Sequence, residues 1–111
     1  MTLNYGSYRG TRILSPDSVE LMTENQTRGL NSPRGLGWAL KDKGWQGGEL
    51  ISERAYGHTG FTGTSLFIDP GREVAIILLT NRVHPTRENT KILKARPVIH
   101  DKVISLIDEL L

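Results

Sequence analysis

Cysteine is missing from the chain's 111 residues, which excludes a disulfide framework and any thiolate-held metal. The same absence suits an exported bacterial protein as well as a cytosolic one, so the compartment stays open. Charge of one sign is also lacking: 14 Lys and Arg against 12 Asp and Glu leave a net charge of +2, too little to call for a nucleic-acid partner. There is no long hydrophobic run. The longest, residues 74–79, is far too short to cross a bilayer, and residues 1–15 carry no apolar core of signal-peptide type. Histidine is limited to His58, His84 and His100, with neither an acidic cluster nor ligand spacing around them, so no metal and no cofactor is expected. At this length residues 1–111 form one domain at most, able to bury roughly two-thirds of the surface that the unfolded chain exposes.

What is present gives a run of short elements. Ser15-Pro16-Asp17 is a helix start: serine can cap free N–H groups, proline suits the first helical position and aspartate meets the positive end of the dipole. Val19, Leu21 and Met22 give that helix a short apolar face ending near Thr23 or Asn25, and residues 26–34 read as loop. Gly35-Leu36-Gly37-Trp38-Ala39-Leu40 alternates small and large residues and predicts a strand, followed by a polar, glycine-rich turn over residues 41–48. Trp38 and Trp45, both in this hairpin-like segment, are expected to pack rather than to stack on a substrate.

Residues 64–68 and 74–79 are two β-rich runs joined by Asp69-Pro70-Gly71-Arg72, which predicts an antiparallel hairpin. The second run is apolar at nearly every position, as in a strand covered on both faces. Ile76 and Leu78 should face one side of it and Ile77 and Leu79 the other. Pro97 then opens a terminal helix whose Ile99, Val103, Leu106 and Leu110 recur at helical spacing and are expected to cover one sheet face. The fold class is α+β: an antiparallel sheet of three or more strands with a C-terminal helix packed on one side.

Just before the hairpin stands Gly57-His58-Thr59-Gly60-Phe61-Thr62-Gly63. Three glycines, an imidazole and two hydroxyls in so short a span mark backbone that comes close to something and presents polar groups; a glycine-rich bulge entering a strand is the alternative. Gly60-Phe61-Thr62-Gly63 also has the spacing of a KH-domain loop, but such a loop joins two helices and this one enters a strand, so no RNA partner follows. Asn25-Gln26-Thr27 is a sequon that carries no further argument.

The order of His58-Thr59-Gly60, a strand ending Phe67-Ile68-Asp69-Pro70, a strand ending Leu79-Thr80-Asn81, a charged loop and a terminal helix resembles the C-terminal portion of the class C-like serine β-lactamase and penicillin-binding-protein family. That family includes D-alanyl-D-alanine carboxypeptidases and related esterases. The resemblance implies a partial β-lactamase-type fold and an acyl-serine hydrolase as the parent, acting on a small molecule or a peptidoglycan-type substrate and exported to the bacterial cell envelope. It implies substrate-binding roles for His58, Thr59 and Gly60, and makes the backbone N–H of Phe61 an oxyanion donor. Histidine in the place of the family's commoner lysine leans towards esterase or peptidase relatives. Arg82 and Arg87 follow the last strand where the family often meets a substrate carboxylate, although a solvated loop would place arginines there as well.

One departure is as informative as the match. Acylation in this family uses a serine with a lysine three residues on, and the positions three before Lys41, Lys43, Lys91, Lys94 and Lys102 hold Trp38, Leu40, Glu88, Lys91 and Ile99. Tyr5-Gly6-Ser7 has the form of the family's tyrosine element but stands too close to the later motifs to be it. The expectation is a fragment without a nucleophile and inactive alone, whose partner is its own missing half or another copy of itself. The competing expectation is a non-catalytic module that binds a partner through its exposed sheet.

Overall fold

A computed structural model describes residues 1–111. After a short 3-10 turn over Thr2–Asn4, β1 (Ser7–Tyr8) and β2 (Thr11–Arg12) make a two-stranded ribbon, and α1 (Pro16–Thr23) follows. The Ser15 side chain accepts from the N–H of Ser18 at 3.1 Å, which is the expected cap. The remaining strands, β3 (Ala39–Leu40), β4 (Tyr56–Thr59), β5 (Ser65–Asp69) and β6 (Val74–Leu78), form one antiparallel sheet in sequence order, and α2 (Ile92–Leu110) crosses one face of it. The α+β class and the β5–β6 hairpin are as the sequence implied.

Register decides which side chains meet α2. Gly57, Phe67 and Ile76 are cross-strand partners and share a face. Phe67 and Ile76 join Ile51, Ala55 and Ile104 in the buried cluster, with Trp45 and Val103 packed against it. Trp45 meets Phe67 edge-on at 4.9 Å between ring centres, and Trp38 does the same to Tyr56 at 5.3 Å, so both tryptophans pack as expected.

Four expectations need correction. The terminal helix does not open at Pro97 but at Ile92, with Pro97 inside it. A proline there leaves the carbonyl four residues back without its helical donor; that carbonyl, Leu93 O, accepts from Gln46 Nε2 at 3.2 Å instead. The buried face of the helix is Arg96, His100 and Ile104 rather than Ile99, Leu106 and Leu110, which are exposed, although Val103 does pack as foreseen. The strand over residues 35–40 shrinks to Ala39–Leu40, because the N–H of Gly35 bonds to Trp38 O at 3.0 Å and closes a turn through Gly37 at φ 80°. Finally, β6 is covered on one face only: Ile76 is buried, whereas Ile77 is 64% and Leu79 79% exposed. β6 is also an edge strand, so its outer N–H and C=O groups have no strand beside them.

Candidate functional site

The two ends of the sheet are built differently, and the His58-Thr59-Gly60 triplet sits at the end nearer the start of α2. β3 pairs with β4 only through Ala39 with Gly57 and Leu40 with Tyr56. Beyond Gly57, β4 keeps its bonds to β5, with His58 opposite Leu66 and Thr59 opposite Ser65, while its other edge is unpaired. A cavity of about 270 Å³ runs beside that open edge, lined by Ala39, Leu40, Trp45, Gln46, His58 and Thr59 among others.

His58 is exposed and shares the face away from α2 with Leu66 and Ile77. Its Nδ1 lies 2.8 Å from Thr59 O. A carbonyl oxygen can only accept, so Nδ1 carries the hydrogen and Nε2 of the neutral ring is an acceptor for an incoming group. Thr59 lies opposite Ser65, on the α2 face, so the two side chains of the triplet flank the strand rather than share one side of it. Gly60 is small for a local reason: a Cβ there would collide with the Thr64 hydroxyl.

The turn after the triplet is held from within and from outside. Gly60 N–H donates to Thr64 O at 2.8 Å, and Gly63 N–H donates to Gly60 O at 3.0 Å. In a trans peptide the C=O and the following N–H point in opposite directions. With Gly60 O turned inward to Gly63, the N–H of Phe61 points out of the turn, and it makes no backbone–backbone hydrogen bond. Phe61 O accepts from Arg82 Nε at 2.8 Å, Thr62 O accepts from Arg82 N–H at 2.8 Å, and Gly63 O accepts from Arg96 Nη2 at 2.7 Å. The Phe61 ring is exposed, with the Arg82 guanidinium 4.7 Å and that of Arg87 5.4 Å from its centre.

Neither Arg82 nor Arg96 has a carboxylate partner. Arg82 also donates from Nη1 to Arg87 O at 2.6 Å and to Asn89 O at 3.1 Å. Arg96 is buried, bonded through Nη1 to Gln46 Oε1 at 2.7 Å, and its Nε has no partner. Burial, and then the like charge of Arg82, pull the Arg96 guanidinium below its ordinary pKa. One helical turn on, His100 is fully buried with Nε2 3.2 Å from Ser65 Oγ and Nδ1 unpartnered. Burial and the Arg96 charge hold it below 6.5, partly offset by Asp101. A second cavity of about 210 Å³, with Thr59, Gly60, Phe61, Arg82 and Arg96 in its wall, lies against the same turn.

Sequence reasoning brought His58, Thr59, Gly60 and Phe61 together, and the structure keeps them contiguous at the open strand end. It left Arg82 undecided, and Arg82 proves to be bonded into the turn. It missed Arg96 and His100. Their signal was present, since Arg96, His100 and Ile104 recur every four residues, but two of the three are polar and drop out of a search for apolar periodicity.

The geometry can be set against known proteins. The sequence model of the Beta-lactamase family matches residues 3–98. An N-acetylmuramyl-L-alanine amidase of Bacillus subtilis is 40% identical over 85 residues, covering 74% of this chain and 19% of that protein. An Escherichia coli K12 protein provisionally described as a D-alanyl-D-alanine carboxypeptidase is 33% identical over 85 residues, again 74% of this chain and 19% of the relative. The chain thus spans about a fifth of the length of these curated relatives. Among solved structures, a β-lactamase from Mycobacterium bovis superposes with a TM-score of 0.75 at 24% identity, over 89% of this chain and 39% of that one, which is a likeness of fold.

Proposed function

The chain belongs to the β-lactamase family, and from that premise we propose that it forms the strand wall of an acyl-serine hydrolase active site. The open edge of β4 carries this reading: beyond Gly57 the strand pairs with nothing on one side, and there it presents His58 and the outward Phe61 N–H. When a serine oxygen attacks a carbonyl carbon, the C=O electron pair moves onto its oxygen, and an N–H held at that point stabilises the charge. Loss of such a donor typically costs about 10²–10³-fold in rate. His58 Nε2 faces the same ligand as acceptor, or as donor when protonated, and Thr59 flanks the strand end with a hydroxyl. The serine and its lysine base come from outside these residues, since no serine here has a lysine three positions on, and the 111-residue chain alone is inactive. The family and the names of its relatives favour an amide or ester of the peptidoglycan-peptide class as substrate.

A second reading has its own observation. Ile77 and Leu79 are exposed on the face away from α2, next to the unpaired edge of β6. Such a surface pairs readily with further chain, and we place the rest of a family domain, or a second copy of this chain, against it.

A chimera tests the first reading. This chain replaces the matching segment of the Bacillus subtilis relative, and hydrolysis of a p-nitrophenyl ester and of muramyl peptides is followed. Turnover by the chimera, lowered at least about tenfold by His58→Ala with the fold intact, is the expected result. Equal turnover with alanine at His58 contradicts the assignment.

A further inference from the structure

We propose that Arg82 is a positioning residue for the oxyanion donor: it clamps the outer carbonyls of the 60–63 turn so that the Phe61 N–H keeps one direction. This rests on the reading of Phe61 given above and adds the group that fixes it.

An N–H can stabilise a developing charge only if its direction is set before the charge appears. The Phe61 N–H belongs to the peptide that begins at Gly60 C=O, and the N–H of Thr62 belongs to the peptide that begins at Phe61 C=O. The first peptide is held by a single bond, Gly63 N–H to Gly60 O. Both neighbours of that bond are glycines, and Gly63 sits at φ 97°, so the turn's own residues do little to restrict it. Rotation about the φ and ψ angles of Phe61 is instead restrained from outside. Arg82 Nε holds Phe61 O, Arg82 N–H holds Thr62 O, and the guanidinium lies over the Phe61 ring. Arg82 is itself anchored, through Nη1 on the carbonyls of Arg87 and Asn89, and the Thr80 hydroxyl donates to the same Thr62 O at 3.3 Å.

The chemistry explains why an arginine stands here. Three carbonyl oxygens, of Phe61, Arg87 and Asn89, take their donors from this one side chain, and a guanidinium supplies several in a planar fork without any acceptor of its own. A lysine would bring the same charge but one nitrogen at one point. A carboxylate partner would draw the guanidinium off the turn, and Arg82 has none. Arg96 closes the far end of the turn on Gly63 O; it is buried and structural, whereas Arg82 reaches the donor peptide itself.

The test is backbone ¹⁵N relaxation on the chain, with Arg82→Ala, Arg82→Lys and Arg87→Ala. In the unaltered chain the Phe61 amide should have an order parameter near about 0.85; in both Arg82 variants it should fall below about 0.6 while β5 and α2 stay rigid. Arg87→Ala, which removes only the weaker ring contact, should leave it unchanged. In the chimera described above, Arg82→Ala and Arg82→Lys should each lower kcat about 100-fold with KM altered less than about twofold, a split that general loosening of the fold would not give. An unmoved Phe61 amide in Arg82→Ala overturns the clamp, whatever the chimera does. A mobile amide with undiminished turnover overturns the catalytic assignment of Phe61, and this role with it. If lysine preserves both order and rate, charge rather than the fork is what matters and the proposal is wrong.

Discussion

The two turns of the main sheet are each pinned by an arginine, and they are pinned in opposite ways. At the β5–β6 turn, Arg72 Nη1 meets Asp69 at 2.8 Å, and its Nε and Nη2 grip the two oxygens of Asp108 on α2 at 2.7 and 2.9 Å. Asp69 is fully buried and also accepts from Ser52 N–H and its hydroxyl, from Gly71 N–H and from Arg72 N–H. Every strong acceptor there has a donor. At the β4–β5 turn, the side chains of Arg82 and Arg96 hydrogen-bond only to carbonyl and amide oxygens, Arg96 Nε has no partner and the Phe61 N–H is turned outward. The saturated end fastens α2 to the sheet. The unsaturated end keeps positive charge and a free donor beside an open strand, at a cost in stability that the other end can offset.

The largest expected effect breaks this comparison if it fails. Asp69→Ala leaves Arg72 and the Ser52 N–H without their buried acceptor and should cost about 3 kcal/mol, whereas Arg82→Ala should cost under about 1 kcal/mol because its partners are exposed or only part-buried carbonyls that water can satisfy. Urea unfolding of the two variants measures both, and equal losses would erase the distinction between the ends.

A medium effect separates the ends by pH. Although burial alone would raise the Asp69 pKa, the bonds from Ser52 and Arg72 bring it below its usual value near 3.8. Arg72 does the same for exposed Asp108. The unfolded chain therefore binds more protons in acid, and this contribution, complete above about pH 4, is lost as pH falls through the depressed folded values. His100 also has a folded pKa below its unfolded 6.5, so its contribution is complete above about pH 6.5 and is lost as pH falls towards the lower folded value. Thermal unfolding between pH 7 and 3 should decline in two stages. His100→Asn should abolish the upper stage and leave the lower one, and a single stage below pH 4 in the unaltered chain would contradict the reading of His100.

The smallest effect sharpens the account of Pro97. Gln46→Ala removes the donor to Leu93 O and the acceptor of Arg96 Nη1, and should cost about 1–2 kcal/mol. The loss should vanish when Pro97 and Arg96 are also replaced by Ala and Met, since both unsatisfied groups are then gone. A cost that survives in the triple variant would mean that Gln46 acts elsewhere.

The saturated end was partly legible in the sequence. Asp69-Pro70-Gly71-Arg72 announced a turn, because aspartate, proline and glycine act locally. Asp108 lies 36 residues from Arg72, and nothing local pairs them. At the triplet end the resemblance to a family singled out His58 to Phe61 as candidates, but nothing of how their turn is held. Arg82, Arg96 and Gln46 act through carbonyls supplied by the fold, and a carbonyl has no letter in the sequence. Pro97 misled for the same reason: its helix-breaking effect is local, and the side chain that relieves it comes from residue 46. The Val74–Leu78 strand misled in another way, since its apolar residues on both faces imply a cover that the 111 residues do not supply on the Ile77 side.

The most direct measurement is a crystal structure of the chimera with its serine trapped by a p-nitrophenyl alkylphosphonate, which leaves a charged phosphonyl oxygen where the reacting carbonyl's oxygen would be. The expected result is that oxygen about 2.7–3.1 Å from the Phe61 nitrogen, with Arg82 still bonded to Phe61 O. A phosphonyl oxygen in solvent, with the Phe61 N–H pointing elsewhere, would contradict the assignment of this turn to the active site.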